Sequence, residues 1–440
     1  MTNPTPSRRT FLKVGGFAAL ALTGAPLAAC SRADTGSTTE GGVTTMKFWD
    51  QPWGMTDYVT AATKLVTEGY QNAKFKWTYQ QVQWNNFYQT YSAAVASKTN
   101  PAVSSGGGFQ AYGLASLGGI HYADAIVQKW KSDGTADDFI DGILDAVKDE
   151  KGYTGIPWSV DCATFYYNKE LHDKYGLKEP ASWDDLYNNG VEFKKNGIAG
   201  LIIGSGAGNN NGHQTVLSMM INNGGGIFDE SQQLALTFDR NVEAVDFLIK
   251  LVKEGITPAG AETFNDDTMN SVWKNKKGAT GYRPPNYAVF IEPKDGKGTV
   301  KVTSPLTAVH GDKGALRFIN SIMMYVNNPS IEGSEDFVSW YTTHNDEYYL
   351  KNYASGLPVR KSTLADPAMK ANTEQQKIYD EWLPVAGSTA SRSKNAFPAI
   401  ALIDGAQPFF EFAQNVIQGK TDAKTCLSKF QDQLASIIKK

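Results

Sequence analysis

Apolar residues fall at two alternating periods along the chain. Met46–Trp49 reads as a short strand, and Thr56–Tyr70 carries Val59, Ala62, Leu65 and Val66 at helical spacing. Phe75–Gln81 (FKWTYQQ) alternates like a half-buried strand, and Trp84–Ser97 places Phe87, Tyr91, Ala94 and Val95 on one helical stripe. This strand-helix-strand-helix order predicts parallel pairing with crossover helices. Ala102–Gly108 is expected as a strand that breaks into glycines, followed by a helix over Asp137–Lys148, an extended Tyr153–Pro157 and an aromatic, β-branched strand over Asp161–Tyr167. Ser182 ahead of Trp183-Asp184-Asp185 has the spacing of a capped helix start. Beyond the glycine- and asparagine-rich loop GSGAGNNNGH, helices are predicted at Thr215–Asn222, Asn241–Glu254, Thr268–Lys274, Lys313–Val326, Ser334–His344, Asp366–Trp382, Pro408–Gly419 and Ala423–Ile438. A strand near Thr299–Thr303 returns late, so the expected fold is a two-lobed α/β body whose chain crosses between lobes more than once. No repeat of a period that would build a solenoid is evident.

The N-terminus follows neither period. A basic stretch leads into the apolar run VGGFAALALTGAPLAA, about the length of an export leader's hydrophobic region. Ser7-Arg8-Arg9-Thr10-Phe11-Leu12-Lys13 resembles a twin-arginine export signal. Leu27-Ala28-Ala29-Cys30 resembles a bacterial lipobox, whose cysteine receives a diacylglycerol and becomes the mature N-terminus. Residues 1–29 are therefore expected to be a signal peptide and Cys30 the lipidation site. Residues 30–45 (CSRADTGSTTEGGVTT) are expected to tether the folded body flexibly to the outer face of the cell membrane.

With 440 residues, 41% of them hydrophobic and 20% charged, the chain can bury a large core as an ordinary globular protein. A net charge of −3 offers no broad attraction to phosphate backbones, so nucleic acid is not an expected partner. Losing Arg8, Arg9 and Lys13 with the leader makes the body more acidic still. The remaining cysteines, Cys162 and Cys426, have no metal-ligand spacing. They are expected to be unpaired, because twin-arginine substrates cross the membrane already folded.

From Gly152-Tyr153-Thr154-Gly155-Ile156-Pro157-Trp158-Ser159-Val160-Asp161 through Tyr167-Asn168-Lys169-Glu170 and PASWDDL, the chain resembles the extracellular solute-binding proteins of carbohydrate ABC importers (family 1). The likeness continues in SVWKNKKGATGYRPPNY, KGALRFINSIMMYV, GLPVRKS and NVIQGKTDAKTCLSKF, spanning about residues 46–440. One departure stands at Pro101-Ala102, where the family usually has Pro-Asp. The resemblance implies an α/β, two-lobed periplasmic-binding-protein-like fold with a hinge and a ligand cleft between the lobes. Lobe 1 is expected over 46–159 and 309–360, and lobe 2 over 160–308 and 361–440. A monomer that captures a sugar and passes it to permease subunits is implied, with no cofactor, no metal and no catalysed reaction.

Sugars present apolar C–H faces that stack on aromatic rings and hydroxyls that pair with Asp, Asn, Gln and Arg. In FWDQPWG, Trp53 sits in a loop past the first strand. Gln110 and Tyr112 lie where the glycine turn enters a helix. Asp161 is the acidic residue that the family resemblance turns toward the sugar. By the same resemblance His213 and Gln214 contact ligand from the second lobe, and Asn286 and Tyr287 occupy the place of a ligand-facing aromatic. Arg283 offers a forked donor. Trp382 and Phe409 are weaker candidates. The five histidines are scattered, with no HExxH, and GxSxG and phosphate-loop motifs are absent. The Asp137-Asp138, Asp184-Asp185 and Asp266-Asp267 pairs suit capping or solvation, but a secreted carbohydrate-active hydrolase remains the alternative reading.

Overall fold

The computed structural model describes residues 39–54, 56–84, 87–292, 298–393 and 397–439. The leader and Cys30 lie outside the described residues, all of which fall within the compact unit Asp34–Lys440. Two sheets organise that unit. The larger runs in the order Phe75–Gln81, Val43–Asp50, Val103–Gly106, Ala315–Tyr325, Ile156–Cys162, Leu357–Pro358. Its first three strands are mutually parallel, as the strand-helix alternation predicts. Ala315–Tyr325 then runs antiparallel to both Val103–Gly106 and Ile156–Cys162. The smaller sheet has the order Val300–Val302, Thr164–Asn168, Gly278–Arg283, Ala199–Leu201.

Alternation along Phe75–Gln81 buries Phe75 and Trp77 and leaves Lys76 and Thr78 in water, as suits an edge strand packed on one face. Trp77 stacks on Phe337 of the helix Ile331–Thr343 with ring centroids 3.8 Å apart. In the smaller lobe Trp183 stacks on Phe247 at 4.8 Å, joining the helices Trp183–Lys195 and Asp239–Lys253. The capped start read at Ser182 is present: the Ser182 hydroxyl accepts from the Asp185 N–H at 3.1 Å. Ser182→Ala should therefore lower stability by about 1 kcal/mol, read as a reduced denaturation midpoint at unchanged slope.

Three expected elements differ. Lys313–Val326 is not a helix, since Ala315–Tyr325 forms an eleven-residue strand in the middle of the larger sheet. A central strand buried on both faces reads as a nearly continuous apolar run, and FINSIMMY fits either period. Asp137–Lys148 forms only the short 3-10 turns Thr135–Asp138 and Asp145–Val147. Asp366–Trp382 is broken into Pro367–Ala371, Thr373–Lys377 and a wide turn at Ile378–Trp382, with Asn372 capping the second piece. The extended run around Asp161 is also two strands. Ile156–Cys162 belongs to the larger sheet and Thr164–Asn168 to the smaller, with Ala163 between them donating its N–H to the Leu316 carbonyl at 2.9 Å.

Cys162 and Cys426 are buried free thiols. Burial pushes the Cys162 thiol up to about 12, so it stays protonated and unreactive. Among the described residues no helix is long and apolar enough to cross a membrane.

Candidate ligand-binding site

The strand Val43–Asp50 delivers Asp50 into the first-lobe core, where it is fully buried. Its carboxylate accepts from the Trp53 indole (3.0 Å), the Tyr58 hydroxyl (2.9 Å), the Tyr79 hydroxyl (3.1 Å) and the Ser105 hydroxyl. Burial outweighs these donors and pushes the Asp50 carboxyl up to about 6. The hub fixes Trp53, whose indole also donates to Ser105 Oγ at 2.9 Å. With its N–H committed, the Trp53 ring stands edge-on to Trp84 (4.7 Å) and Trp158 (5.3 Å).

The glycine turn that follows Val103–Gly106 needs a glycine at Gly108. Gly108 has a φ of +55°, and a Cβ there would lie 2.8 Å from Asp404 Oδ2. A Cβ on Gly107 would touch the Trp84 and Trp53 rings at about 3.4–3.5 Å. Around this turn sit buried amides with unpartnered atoms: Gln51 Nε2, both side-chain polar atoms of Gln110, and Asn320 Nδ2. Such groups are costly unless a water or a ligand completes them.

Exposure along the long strand Ala315–Tyr325 is confined to Arg317, Phe318 and Ile319. Phe318 is paired directly across from Asp161. Asp161 Oδ1 accepts the backbone N–H of Cys162 at 2.9 Å, and burial pushes the Asp161 carboxyl up to about 7, with no cation among the described residues opposing it. A partly exposed carboxyl and an aromatic side chain are therefore cross-strand partners where the chain passes from one sheet to the other.

From the smaller lobe, the loop after Gly278–Arg283 gathers a second polar group. Arg283 donates to Asp266 Oδ1 (3.0 Å) and Asn270 Oδ1 (3.2 Å), its guanidinium lies 4.2 Å from the Tyr287 ring centroid, and its Nε has no partner. The Tyr287 hydroxyl donates to Asn270 Oδ1 at 2.7 Å. Asn286, in the left-handed region at φ +62°, donates to the Ala354 carbonyl at 3.2 Å and accepts from Gln375. Next to Ala354, the Ser355 N–H and hydroxyl both donate to the Trp53 carbonyl, at 2.8 and 2.7 Å. The segment Ala354–Ser355 thus brings Trp53 and Asn286, read separately from sequence, to one junction.

The remaining candidates lie elsewhere. Tyr112 donates to the Ala146 and Lys148 carbonyls at 3.1 and 2.9 Å, which ties it to its own lobe. His213 is buried against Phe409 and Phe410, and burial holds it down at about 4, so it is neutral. Gln214, its helix neighbour, is partly exposed. Trp382 is fully buried, its indole donating to the Thr303 carbonyl at 2.7 Å. Phe318, Asn320, Trp84 and Asp404 were not singled out by sequence. Three of them fall in segments that read as ordinary amphipathic helix, and only the Asp404-Gly405 pair carries a turn signal.

Residues 53–347 match the model of the bacterial extracellular solute-binding protein family. The fold superposes with a TM-score of 0.85 on the crystal structure of a sugar transporter from Arthrobacter chlorophenolicus A6 with bound laminaribiose. The two are 43% identical, with 89% of this chain and 99% of that chain covered. A putative ABC transporter periplasmic-binding protein, YcjN, of Escherichia coli K12 is 24% identical over 325 residues, covering 68% of this chain and 71% of that protein. A probable amino-acid ABC transporter periplasmic-binding protein, y4oP, of Sinorhizobium fredii is 24% identical over 223 residues, so this chain spans about half (49%) of its length.

Proposed function

Because the chain belongs to the family of bacterial extracellular solute-binding proteins, we propose that it captures a sugar, of oligosaccharide size, between its two lobes and hands it to the permease subunits of an ABC importer. The observation that carries this reading is Asp161. A carboxyl withdrawn from water, without a cation and with one backbone donor, has acceptor capacity that two neighbouring sugar hydroxyls would fill. Phe318 opposite it offers a face for the apolar side of a sugar ring. Trp53, Gln110, Arg283, Asn286 and Tyr287 complete the contacts, with Tyr112, His213 and Gln214 acting only at the margins. The laminaribiose-bound relative supports a short glucan-type ligand.

The lobe limits in this reading are 46–159 with 309–360 and 160–308 with 361–440; the passage from Cys162 to Thr164 and the return between Val302 and Ala315 lie near these limits and serve as the hinge. The body works as a monomer anchored through a lipid on Cys30 after twin-arginine export. Changing Arg8 and Arg9 to lysine should leave uncleaved precursor inside the cell, scored by immunoblot of fractionated cells. Normal export of that variant would remove the twin-arginine route.

The protein catalyses no reaction in this reading. A glycosidase needs two carboxyl groups about 5–10 Å apart and free to act on the glycosidic bond. Asp404, which like Phe318 borders Gly108, is already engaged by the Tyr88 hydroxyl and the Phe109 N–H. Incubating the purified protein with oligosaccharides should release no new reducing ends, and their appearance would favour the hydrolase instead.

A further inference from the structure

The helix Gln407–Gln418 packs on Asn211–Asn222 and Asp239–Lys253, and Ala423–Ile438 packs on Asp239–Lys253; Asn211–Asn222 in turn lies against both Gly278–Arg283 of the smaller sheet and Ala315–Tyr325 of the larger. Immediately before them, Pro398–Ile403 packs both on Ala423–Ile438 and on Gln110–Ser116 of the other lobe. The turn Asp404-Gly405 between these helices carries the contact. The Asp404 carboxylate accepts the Phe109 N–H at 2.8 Å and the Tyr88 hydroxyl. Gly405, at φ +67°, lets the Tyr88 ring lie against the backbone where any Cβ would collide. Gly108 is the matching glycine on the other side, leaving room for Asp404 Oδ2 and the Phe318 ring. The contact therefore has complementary parts on both lobes, beside the Phe318 face that opposes Asp161.

We propose that Asp404 is an interlobe latch: it fastens the C-terminal strap to the glycine turn of lobe 1 and so favours the closed form that holds the ligand. Asp404 is a positioning residue that acts through Gly108 and Phe109. Burial raises its carboxyl above the usual carboxylate range, against the donors from Tyr88 and Phe109, so the bonds are made at a desolvation cost and are released when the lobes part. A group that stabilises only the closed form raises apparent affinity by the factor through which it raises the closed population. The affinity part of the proposal rests on the sugar-binding reading; the latch itself does not.

The test uses the exported protein with Asp404→Asn, Tyr88→Phe and the double variant. Amide hydrogen exchange is followed over the peptide containing Gly107–Tyr112 without ligand, and laminaribiose affinity is measured by calorimetry. Both single variants should exchange faster at Phe109 and bind laminaribiose about fivefold more weakly, the size of one ordinary hydrogen bond. The double variant should be no weaker than Asp404→Asn, because the two side chains share one contact. Unchanged exchange in both variants would overturn the latch. Faster exchange with unchanged affinity, or additive losses, would overturn its role in closure. If the wild type binds no sugar, the functional reading fails while the exchange result still judges the latch.

Discussion

Asp161→Ala should weaken laminaribiose binding by at least tenfold, and by roughly a hundredfold to ten-thousandfold if the carboxylate accepts from two hydroxyls. Charge-assisted hydrogen bonds contribute about 1.5–3 kcal/mol each, and about 1.4 kcal/mol is a factor of ten. The substitution removes a carboxyl whose only partner among the described residues is the N–H of Cys162, so little of the native network is lost with it. Its pH signature has a definite sign. Burial raises the native carboxyl from 3.8 to about 7, so the native state holds this proton more tightly than the unfolded chain. The associated stability is fully present below the unfolded value and is lost as pH rises through about 7. Asp161→Asn should therefore gain stability relative to wild type between about pH 4 and pH 8, followed by thermal unfolding without ligand. Binding of hydroxyls to the ionised form works in the opposite sense, and affinity should fall as pH drops below about 7. If Asp161→Ala binds as tightly as wild type, Asp161 is not in the site.

Asp50→Ala should be the most damaging substitution for stability. It leaves the Tyr58 and Tyr79 hydroxyls without their acceptor, while the Trp53 indole keeps Ser105 Oγ and the Ser105 hydroxyl keeps Gln51 Oε1. Unsatisfied donors cost about 1–3 kcal/mol each, and water entering the vacated space recovers part of this, so a loss of roughly 3–5 kcal/mol is expected. Chemical denaturation of the unliganded protein reads it directly. Asp50→Asn, which keeps the volume and one acceptor, should lose less at neutral pH. The native Asp50 carboxyl is itself raised to about 6, so its ionisation lowers wild-type stability as pH rises through that value. A loss for Asp50→Ala no greater than that of an exposed substitution would show that the hub does not hold Trp53 in place.

The two predictions separate what the sequence makes legible from what it does not. Local signals are reliable where neighbouring residues decide the outcome. FKWTYQQ alternates because one face of an edge strand is buried, and Ser182 caps because its hydroxyl reaches an N–H three residues on. The long strand Ala315–Tyr325 is misread because burial on both faces erases the period that distinguishes strand from helix. That error conceals the centre of the proposed site, since Phe318 and Asn320 can be placed beside Asp161 and Ser159 only once the strand pairing is known. Asp404 is hidden for a related reason. Its partners, Tyr88 and Phe109, lie about three hundred residues away, and no local pattern encodes a contact of that range. The sequence offers Trp53 as a candidate stacking ring, whereas its indole N–H serves the Asp50 hub and its ring stands edge-on to Trp84 and Trp158.

Titration of the purified protein with laminaribiose by calorimetry at two temperatures tests capture of a sugar most directly. A single saturable phase with a negative heat-capacity change is expected, because apolar sugar faces leave water for aromatic surface. Absence of saturable binding with laminaribiose and with a panel of other mono- and oligosaccharides would contradict it.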